Sequence, residues 1–423
     1  MKITDLKGKT IAAAVSGGLD SCTITRWLTD HGVNVVCFTG DLGQTDESDL
    51  TKVQERLIAS GAKEAYIIEG KEQMAKGGCL AIQAQATYER DYWNVTGIGR
   101  HMLVSILVPE LKKHGIDIFV HGATGRGNDQ VRFQLVNNML DPNIKVYAPW
   151  RDEEFIKTFG GRKEMIDFCQ TRQLPIKQSH AKPYSTDANL LGLTHEAGKL
   201  EQLDVAAHFI EPEMGVLPEK AADKIETFEV HFEQGWPVKI NGKAVTPHQA
   251  FVIANEVGGR NGVGIAVHLV ENRFVGIKSR GVYEQPGIEL LGTCYRYLLQ
   301  LILDRRARDV FEYLSTFLGK QIYQGYWFDT ASQAAMAAIK RYSNLATGTI
   351  IVNIHRGVVS FKEAKDVTHN LYSEANASME SIGEFNHADS EGFLNILGIS
   401  ARSLAAHQQI DVSEFLLNNK KIN

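Results

Sequence analysis

The chain has 423 residues, too many for one ordinary hydrophobic core, so we expect two domains of unequal size. Its 45 basic and 50 acidic side chains give a formal net charge of -5 without a Lys/Arg stripe, so no nucleic-acid partner is expected. The five cysteines are scattered and never spaced as Cys-x-x-Cys, which predicts reduced thiols in place of a disulfide framework or a zinc site.

The N-terminus does not have the order of a signal peptide. Lys2, Asp5, Lys7 and Lys9 precede the first apolar run, whereas a signal peptide continues from its basic start into an apolar stretch. No part of the sequence approaches the roughly 18 uninterrupted apolar residues of a membrane span. We therefore expect a cytoplasmic protein without a membrane partner.

Apolar runs of strand-like length alternate with helical patterns through the first half of the chain. Strands are predicted over 10–15, 33–38, 65–69 and 116–121. Helical patterns are predicted over 24–28 and over 50–60, the latter closed by Gly61. This alternation indicates a parallel sheet covered on both faces, with ligands at the carboxyl ends of its strands. Three unusual segments follow such ends: 16–21, 40–44 and 122–129.

Past about residue 175 the pattern changes to antiparallel hairpins separated by long helical stretches. Alternation over 226–233, a turn at Gln234-Gly235 and a run over 237–240 predict one hairpin. A second hairpin is predicted over 349–361, around Arg356-Gly357. Helical patterns are predicted over 288–318 and, as an amphipathic tail, over 391–417.

The sharpest local signal is Ser16-Gly17-Gly18-Leu19-Asp20-Ser21, at the first strand-to-helix junction. Its paired glycines let backbone N–H groups approach a phosphate, and the following helix offers unpaired amides and a positive dipole end. No Gly-Lys-Ser/Thr follows, so this is not a Walker A loop. The segment resembles the PP-loop of ATP pyrophosphatases, which hold the β,γ-pyrophosphate while a nucleophile attacks the α-phosphorus. A tight turn without a ligand is the alternative interpretation.

The PP-loop resemblance implies adenylation and leaves the substrate open, because NAD, GMP and asparagine synthetases and tRNA-modifying enzymes carry similar loops. A second segment, 121–133, combines three glycines with Thr124, Asn128, Asp129 and Arg132. Such a set suits a zwitterion, and the arginine fork fits a carboxylate bidentately. Taken alone, the segment is equally well a Gly-rich surface loop, but its position at a strand end favours a site. We predict no catalytic role for His121.

Segment 121–133 resembles the hallmark loop of argininosuccinate synthases, which reads His-Gly-Ala-Thr-Gly-Lys-Gly-Asn-Asp in many members. Arg126 replaces the lysine, which keeps the charge and alters its geometry. The resemblance implies that Thr124, Asn128 and Asp129 contact aspartate. It also implies that Asn128 and Arg132 reach citrulline.

Segments 184–196 and 270–284 look like the family's two citrulline-side segments. The citrulline-binding residues that this resemblance implies are Tyr92, Ser185, Thr194, Glu271 and Tyr283. Gly97 falls where many members place a citrulline-contacting serine, so either Gly97 or the neighbouring Thr96 takes that position. Taken singly, these residues are equally well explained as a solvated edge strand and core aromatics. Their joint occurrence in family order favours a site.

The resemblance implies ligation of citrulline to aspartate through a citrullyl-adenylate, with ATP as co-substrate and Mg²⁺ bridging its phosphates. The predicted nucleotide-binding residues are Ala14, Ser16, Gly17, Gly18, Leu19, Asp20, Ser21, Cys22, Gly40 and Gly122. Ser16, Asp20 and Asp129 are the predicted catalytic residues, with Asp20 either engaging the metal or holding the loop. No side-chain set is predicted to hold a resident metal.

The predicted fold class is α/β, with a nucleotide-binding parallel-sheet domain of the PP-loop type over 1–172. An α+β synthetase domain is predicted over 173–385 and an oligomerisation helix over 386–423, which with the resemblance implies a homotetramer. Two other functions stay open. A tRNA-modifying enzyme would share the first half, although a basic, aromatic-rich surface and a catalytic cysteine pair are missing from the sequence. A nucleotide sensor would leave Glu271 and Tyr283 unexplained.

Overall fold

The computed structural model describes residues 1–45, 47, 49–176, 184–380, 382–384 and 386–413. The chain forms two compact units, Met1–Asn370 and Leu371–Asn423. The domain boundaries at 172 and 385 stay predictions.

A parallel sheet organises the first part of the chain. Its strands are β1 (Thr10–Ala14), β2 (Asn34–Asp41), β3 (Glu64–Glu69), β4 (Ile118–His121) and β5 (Lys145–Tyr147). They lie in the order β3-β2-β1-β4-β5, which confirms the predicted parallel sheet. The order reverses between β1 and β4, and the loops that follow these two strands therefore border the crevice where such sheets bind ligands.

Helices cover both faces of this sheet. They are α1 (Leu19–Asp30), α2 (Leu50–Ala59), α3 (Lys71–Ala84), α4 (Val95–Lys113), α5 (Asp129–Leu140), α6 (Glu153–Thr158) and α7 (Arg162–Thr171). Ile11 and Ala13 of β1 pack in one core with α1, α2, α6 and α7, while Ala12 packs in the other with α4. Gly61 ends α2 as predicted, with φ +104° and its amide donating to Ile58.

Antiparallel sheets dominate the second part of the large unit. The strands are β6 (Ser185–Asn189), β7 (Gly192–Glu196), β8 (Glu226–Glu233), β9 (Trp236–Ile240), β10 (Lys243–Ala244), β11 (Val267–Asn272), β12 (Lys278–Glu284), β13 (Gly348–His355) and β14 (Val358–Lys365). One sheet has the order β11-β12-β7-β6, the other β10-β9-β8-β13-β14. Both predicted hairpins, β8 with β9 and β13 with β14, are confirmed.

The helices of this second part are α8 (Pro247–Arg260), α9 (Pro286–Ile302), α10 (Arg305–Gln324) and α11 (Thr330–Ser343). The prediction of one helical stretch over 288–318 was wrong, because the chain leaves helical geometry at Leu303. Asp304 then caps α10, its carboxylate accepting from the Ala307 amide at 2.8 Å. Short 3-10 helices lie at Ile3–Leu6, Pro149–Arg151, Gly198–Glu201, Ala207–Phe209 and Pro218–Lys220.

The smaller unit contains α12 (Glu374–Ala377) and α13 (Ala388–Ala406). The predicted tail helix is therefore shorter than 391–417: the amides of Gln408 and Gln409 bond back to the last turn, and Gln408 has φ +55°. Residues 414–423 lie outside the described residues. No side chain of α13 is buried, and its large apolar side chains, from Phe393 to Leu404, are between 41% and 70% exposed.

The fold class is α/β, as predicted, with a parallel-sheet domain, an antiparallel part and a helical tail. Among the helices of the described residues, none has both the length and the apolar character that crossing a bilayer needs.

Candidate active site

A cavity of about 280 Å³ lies between the carboxyl edge of the parallel sheet and the four-stranded antiparallel sheet. Its walls come from the first turn of α1, from the segment after β4, from α4 with the residues just before it, from α5, and from β6, β7, β11 and β12 with the turn between the last two strands. The predicted site residues that line it are Asp20, Tyr92, Thr96, Gly122, Thr124, Asn128, Asp129, Arg132, Thr194, Glu271 and Tyr283. Residues far apart in the sequence thus meet in one place.

Other predicted site residues do not line this cavity: Ala14, Ser16, Gly17, Gly18, Leu19, Ser21, Cys22, Gly40, Gly97 and Ser185. A Cβ at Gly97 would lie 3.1 Å from the backbone oxygen of Ile322 on α10, so position 97 faces a helix. The neighbouring Thr96 does line the cavity. Ser185 is exposed at the start of β6. The roles of all these residues stay predictions.

The phosphate loop is the turn from Ser16 to Ser21, between β1 and α1. Gly17 has φ +73°, and a Cβ there would lie 2.6 Å from Cγ1 of Val53, so only glycine fits. Gly18 is the N-cap of α1, and the first-turn N–H groups therefore have no side-chain cap from it. The Ser16 amide is already satisfied by Oγ of Ser21 at 3.0 Å.

The side chains of Arg56 and Cys22 both contact the loop at the Gly17 carbonyl. Arg56 of α2 donates from Nε to the Gly17 carbonyl at 3.2 Å and from Nη2 to Glu47 at 2.6 Å. The buried Cys22 thiol lies 3.7 Å from the same carbonyl, and burial raises its pKa. The Cys22 side chain therefore contacts the backbone of the loop.

The remaining nucleotide-side positions lie at the strand ends. Ala14 is the last residue of β1, beside His121 of β4. Gly40 lies near the end of β2, where a Cβ would collide with Leu103 of α4. A Cβ at Gly122 would lie 3.1 Å from Cδ1 of Ile24. At both glycines a Cβ would therefore meet a side chain of an adjacent helix.

Asp20 projects from the first turn of α1 into the cavity. Burial raises its pKa, against the opposing effects of the Trp150 indole and the Arg162 guanidinium. His121 is packed, as predicted: its Nδ1 accepts from the Ala123 amide at 3.2 Å. Burial lowers the pKa of His121 to about 3, so it stays neutral near pH 7.

A charge network crosses the cavity. Asp129 accepts from Nε of Arg100 at 2.9 Å and from Nη1 of Arg132 at 2.8 Å, and Arg100 also bonds to Asp187 at 2.6 Å. Burial would raise the pKa of Asp129, but the two guanidinium groups outweigh it and lower the pKa. For Asp187, the effect of burial is larger than that of the Arg100 charge, and the pKa of Asp187 is raised. Arg100 and Asp187 were not predicted as site residues, although Arg100 lies one helical turn after Thr96 and Asp187 lies within 184–196.

Aromatic and hydroxyl groups form the opposite wall. The Tyr283 hydroxyl donates to the Glu271 carboxylate, and the Tyr283 ring stacks on Tyr92 with centroids 4.0 Å apart. The Tyr92 hydroxyl accepts from the Thr96 amide at 3.1 Å. The hydroxyls of Thr96 and Thr194 lie 2.8 Å apart. This wall therefore joins residues of α4 to strands of the second part.

The turn between β11 and β12 fastens that wall to the segment after β4. The Phe274 amide donates to Oδ1 of Asn128 at 2.8 Å, and Arg273 bonds to Glu196 at 3.3 Å. Burial raises the pKa of Glu196 to about 7, against the opposing charge of Arg273. Glu196 and Arg273 also line the cavity and were not predicted as site residues, although they lie within 184–196 and 270–284.

Taken together, the cavity offers guanidinium groups, carboxylates and neutral hydroxyls within one small volume, which suits zwitterionic ligands. In the described residues no group of three or more His, Cys, Asp or Glu side chains has the arrangement of a metal site.

Comparisons with known proteins agree across the chain. The arginosuccinate synthase N-terminal HUP domain model matches residues 10–175, and the arginosuccinate synthase C-terminal domain model matches residues 184–404. The argininosuccinate synthase of Rhodopirellula baltica is 39% identical over 396 residues, 93% of this chain and 97% of that protein. That of Thermotoga maritima is 37% identical over 409 residues, 95% of this chain and 98% of that protein. That of Leptospira biflexa is 38% identical over 411 residues, 95% and 98% respectively.

Both family models and these nearly full-length relatives lead to one conclusion: the chain belongs to the argininosuccinate synthase family, a family of ATP-dependent ligases.

Proposed function

We propose that this chain joins citrulline to aspartate at the expense of ATP, releasing AMP and pyrophosphate in arginine biosynthesis. One observation carries the proposal beyond the family match. A single cavity brings Asp20 of the phosphate loop, and Gly122 after the neighbouring strand β4, together with Glu271 and Tyr283 of the antiparallel sheet. The nucleotide and the amino-acid substrates would therefore meet in one cavity.

The nucleotide would bind at the carboxyl edge of the parallel sheet. The open amides at the start of α1 and the helix dipole favour a polyphosphate there, and the left-handed backbone of Gly17 forms the turn that leads into that helix. The adenine would rest near Gly40, beyond β2. Mg²⁺ would arrive with the triphosphate, and the Asp20 carboxylate fits it because Mg²⁺ usually takes one or two carboxylates besides phosphates and waters. The positive charge of Mg²⁺ would offset the negative charge of the phosphates.

Citrulline would lie with its ureido group toward the phosphate loop. The ureido oxygen has to reach the α-phosphorus, so the amino-acid head points to the far wall, where Glu271 and Glu196 offer carboxylates to an ammonium. Thr96 and Thr194 add hydroxyls along the path. A ligand held in this way needs no covalent attachment, because its orientation alone lowers the barrier.

Aspartate would bind at the segment after β4. Thr124 and Asn128 supply donors for its carboxylates, and Asp129 supplies an acceptor for its ammonium. Arg100 and Arg132 keep Asp129 ionised, which fits that role.

The chemistry then proceeds in two steps. The ureido oxygen forms a bond to the α-phosphorus while the bond to the β,γ-pyrophosphate breaks, which gives citrullyl-adenylate and pyrophosphate. The aspartate amine next attacks the ureido carbon, the carbon–oxygen bond to AMP breaks, and the amine gives up a proton. AMP keeps the former ureido oxygen. The protein's part is positioning and charge stabilisation.

Assembly and location belong to the same proposal. The family resemblance suggests a homotetramer held by C-terminal helices, and the exposed apolar side chains of α13 support it. The cytoplasm is the proposed location, in line with a biosynthetic role and with cysteines that are all free.

An omission assay tests the function. The protein is mixed with ATP, Mg²⁺, citrulline and aspartate, and pyrophosphate and argininosuccinate are measured with each component left out in turn. We expect steady pyrophosphate release only with the complete mixture. Release without citrulline, or tight ATP binding without any turnover, would favour a different adenylating enzyme or a nucleotide sensor.

A further inference from the structure

Tyr323, near the end of α10, lies against the cavity wall without having been singled out in the sequence. It is fully buried, and its hydroxyl donates to Oε2 of Glu271. Tyr283 donates to the other oxygen, Oε1. Each carboxylate oxygen therefore has one phenol partner and keeps one lone-pair direction for a ligand.

The same residue also touches the opposite subsite. The backbone carbonyl of Tyr323 accepts from Nε of Arg132 at 2.9 Å, and the Arg132 guanidinium lies 5.2 Å from the Tyr323 ring centroid. Arg132 in turn holds Asp129 at 2.8 Å. The Tyr323 hydroxyl thus bonds to Glu271, and its backbone carbonyl bonds to Arg132. A substitution that removes only the hydroxyl breaks the first contact and keeps the second.

A second tyrosine supports the ring of Tyr323. Tyr88 stacks on it almost in parallel, at 2° and with centroids 3.7 Å apart. The Tyr88 hydroxyl points elsewhere and donates to the backbone oxygen of Asn272 at 3.1 Å. The stacked pair therefore contains two phenols, of which Tyr323 bonds to Glu271 and Tyr88 bonds to the backbone of Asn272.

We propose that Tyr323 is a positioning residue for the amino-acid head of citrulline. Its hydroxyl fixes the Glu271 carboxylate so that the remaining lone pairs face the cavity, where the α-ammonium of citrulline binds. The proposal rests on the proposed function. Because this contact lies away from the reacting atoms, its loss weakens ground-state and transition-state binding alike, which raises KM and leaves kcat in place.

The test compares Tyr323→Phe with Tyr88→Phe as its matched control. Each substitution removes one hydroxyl from the stacked pair and keeps the ring. We expect Tyr323→Phe to raise KM for citrulline about tenfold, the scale of one hydrogen bond to a charged group, with kcat and KM for ATP and aspartate within about twofold. Tyr88→Phe should leave all four constants within about twofold of the unchanged protein.

Several outcomes would overturn the proposal. An unchanged KM for citrulline in Tyr323→Phe would mean that Tyr283 alone holds Glu271. Equal effects in both variants, or loss of the folded state in Tyr323→Phe by thermal unfolding, would make the pair a structural element only. Absence of argininosuccinate with the unsubstituted protein would instead refute the proposed function, so the two failures are distinguishable.

Discussion

Gly17→Ala is the substitution that most sharply separates phosphate binding from folding. The backbone of Gly17 is left-handed, with φ +73°, and a new Cβ would lie 2.6 Å from Cγ1 of Val53. Either α2 shifts or the loop leaves its present conformation. Since Arg56 of α2 holds the Gly17 carbonyl, both routes disturb the loop.

The size of the effect follows from these two costs. A left-handed conformation costs an L-residue about 1–2 kcal/mol, and overpacking against Val53 costs about 1–3 kcal/mol. If about 2 kcal/mol of this appears as weaker nucleotide binding, KM for ATP rises about thirtyfold. KM for aspartate should stay within about twofold, because the aspartate segment follows a different strand.

Steady-state pyrophosphate release at varied ATP measures this change, with Gly8→Ala as control. Gly8 has nearly the same φ, +76°, and open space around its Cβ position. Gly8→Ala therefore has the same unfavourable backbone conformation without a steric clash, at a position outside the phosphate loop. We expect Gly8→Ala to lower the melting temperature because of the left-handed backbone, and to leave KM for ATP unchanged because Gly8 lies outside the phosphate loop. Equal KM values for ATP in Gly17→Ala and the unsubstituted protein would refute the reasoning.

Three further predictions concern the charged groups of the cavity. Asp20→Ala should lower turnover about a hundredfold, the scale of one preorganised electrostatic contact, and an unchanged single-turnover rate of adenylation would contradict its assignment. The pKa of about 7 for Glu196 predicts that kcat/KM for citrulline falls as pH drops through 7, because the protonated carboxyl no longer attracts an ammonium. A pH profile of Glu196→Gln should be flat there, and a persisting slope would assign it to another group. Asp129→Asn should destabilise the fold by about 3 kcal/mol, measured by denaturant unfolding, because it leaves the buried Arg132 short of its carboxylate; a change under about 1 kcal/mol would show that Arg132 finds another partner.

Local patterns were enough to predict four of the five strands of the first sheet, although not the three-residue strand β5. Each of β1 to β4 is a short apolar run next to a turn or a helical period, and the strand-to-helix junctions at Ser16–Ser21 and after β4 carry the glycines. Because parallel strands align their carboxyl ends, the sequence also indicates that these junctions share one edge. The structure agrees, with Asp20 and Gly122 lining one cavity.

Predictions failed where a local cap outweighs apolar periodicity. The helical pattern over 288–318 continues across Leu303, but Asp304 bonds to the amide three residues on and starts a new helix. The tail pattern likewise passes Ala406, where backbone bonds from Gln408 and Gln409 close the last turn. Both are short-range hydrogen-bonding effects that a count of apolar residues does not contain.

The site residues that were missed depend on long-range packing. Tyr323 on α10 reaches Glu271 on β11, 52 positions away in sequence, and nothing in its sequence neighbours indicates that contact. Arg100 pairs with Asp187 across 87 positions. Such partners are brought together by the packing of α4 against β6 and β7 and of α10 against α4, which no single segment encodes.

The most direct test of the whole account follows the ureido oxygen of citrulline. Citrulline labelled there with ¹⁸O is converted with ATP and aspartate in unlabelled water, and the AMP is analysed by mass spectrometry. Attack of that oxygen on the α-phosphorus requires the label to appear in the phosphate of AMP. Unlabelled AMP formed together with argininosuccinate would contradict a citrullyl-adenylate and with it the proposed use of the cavity.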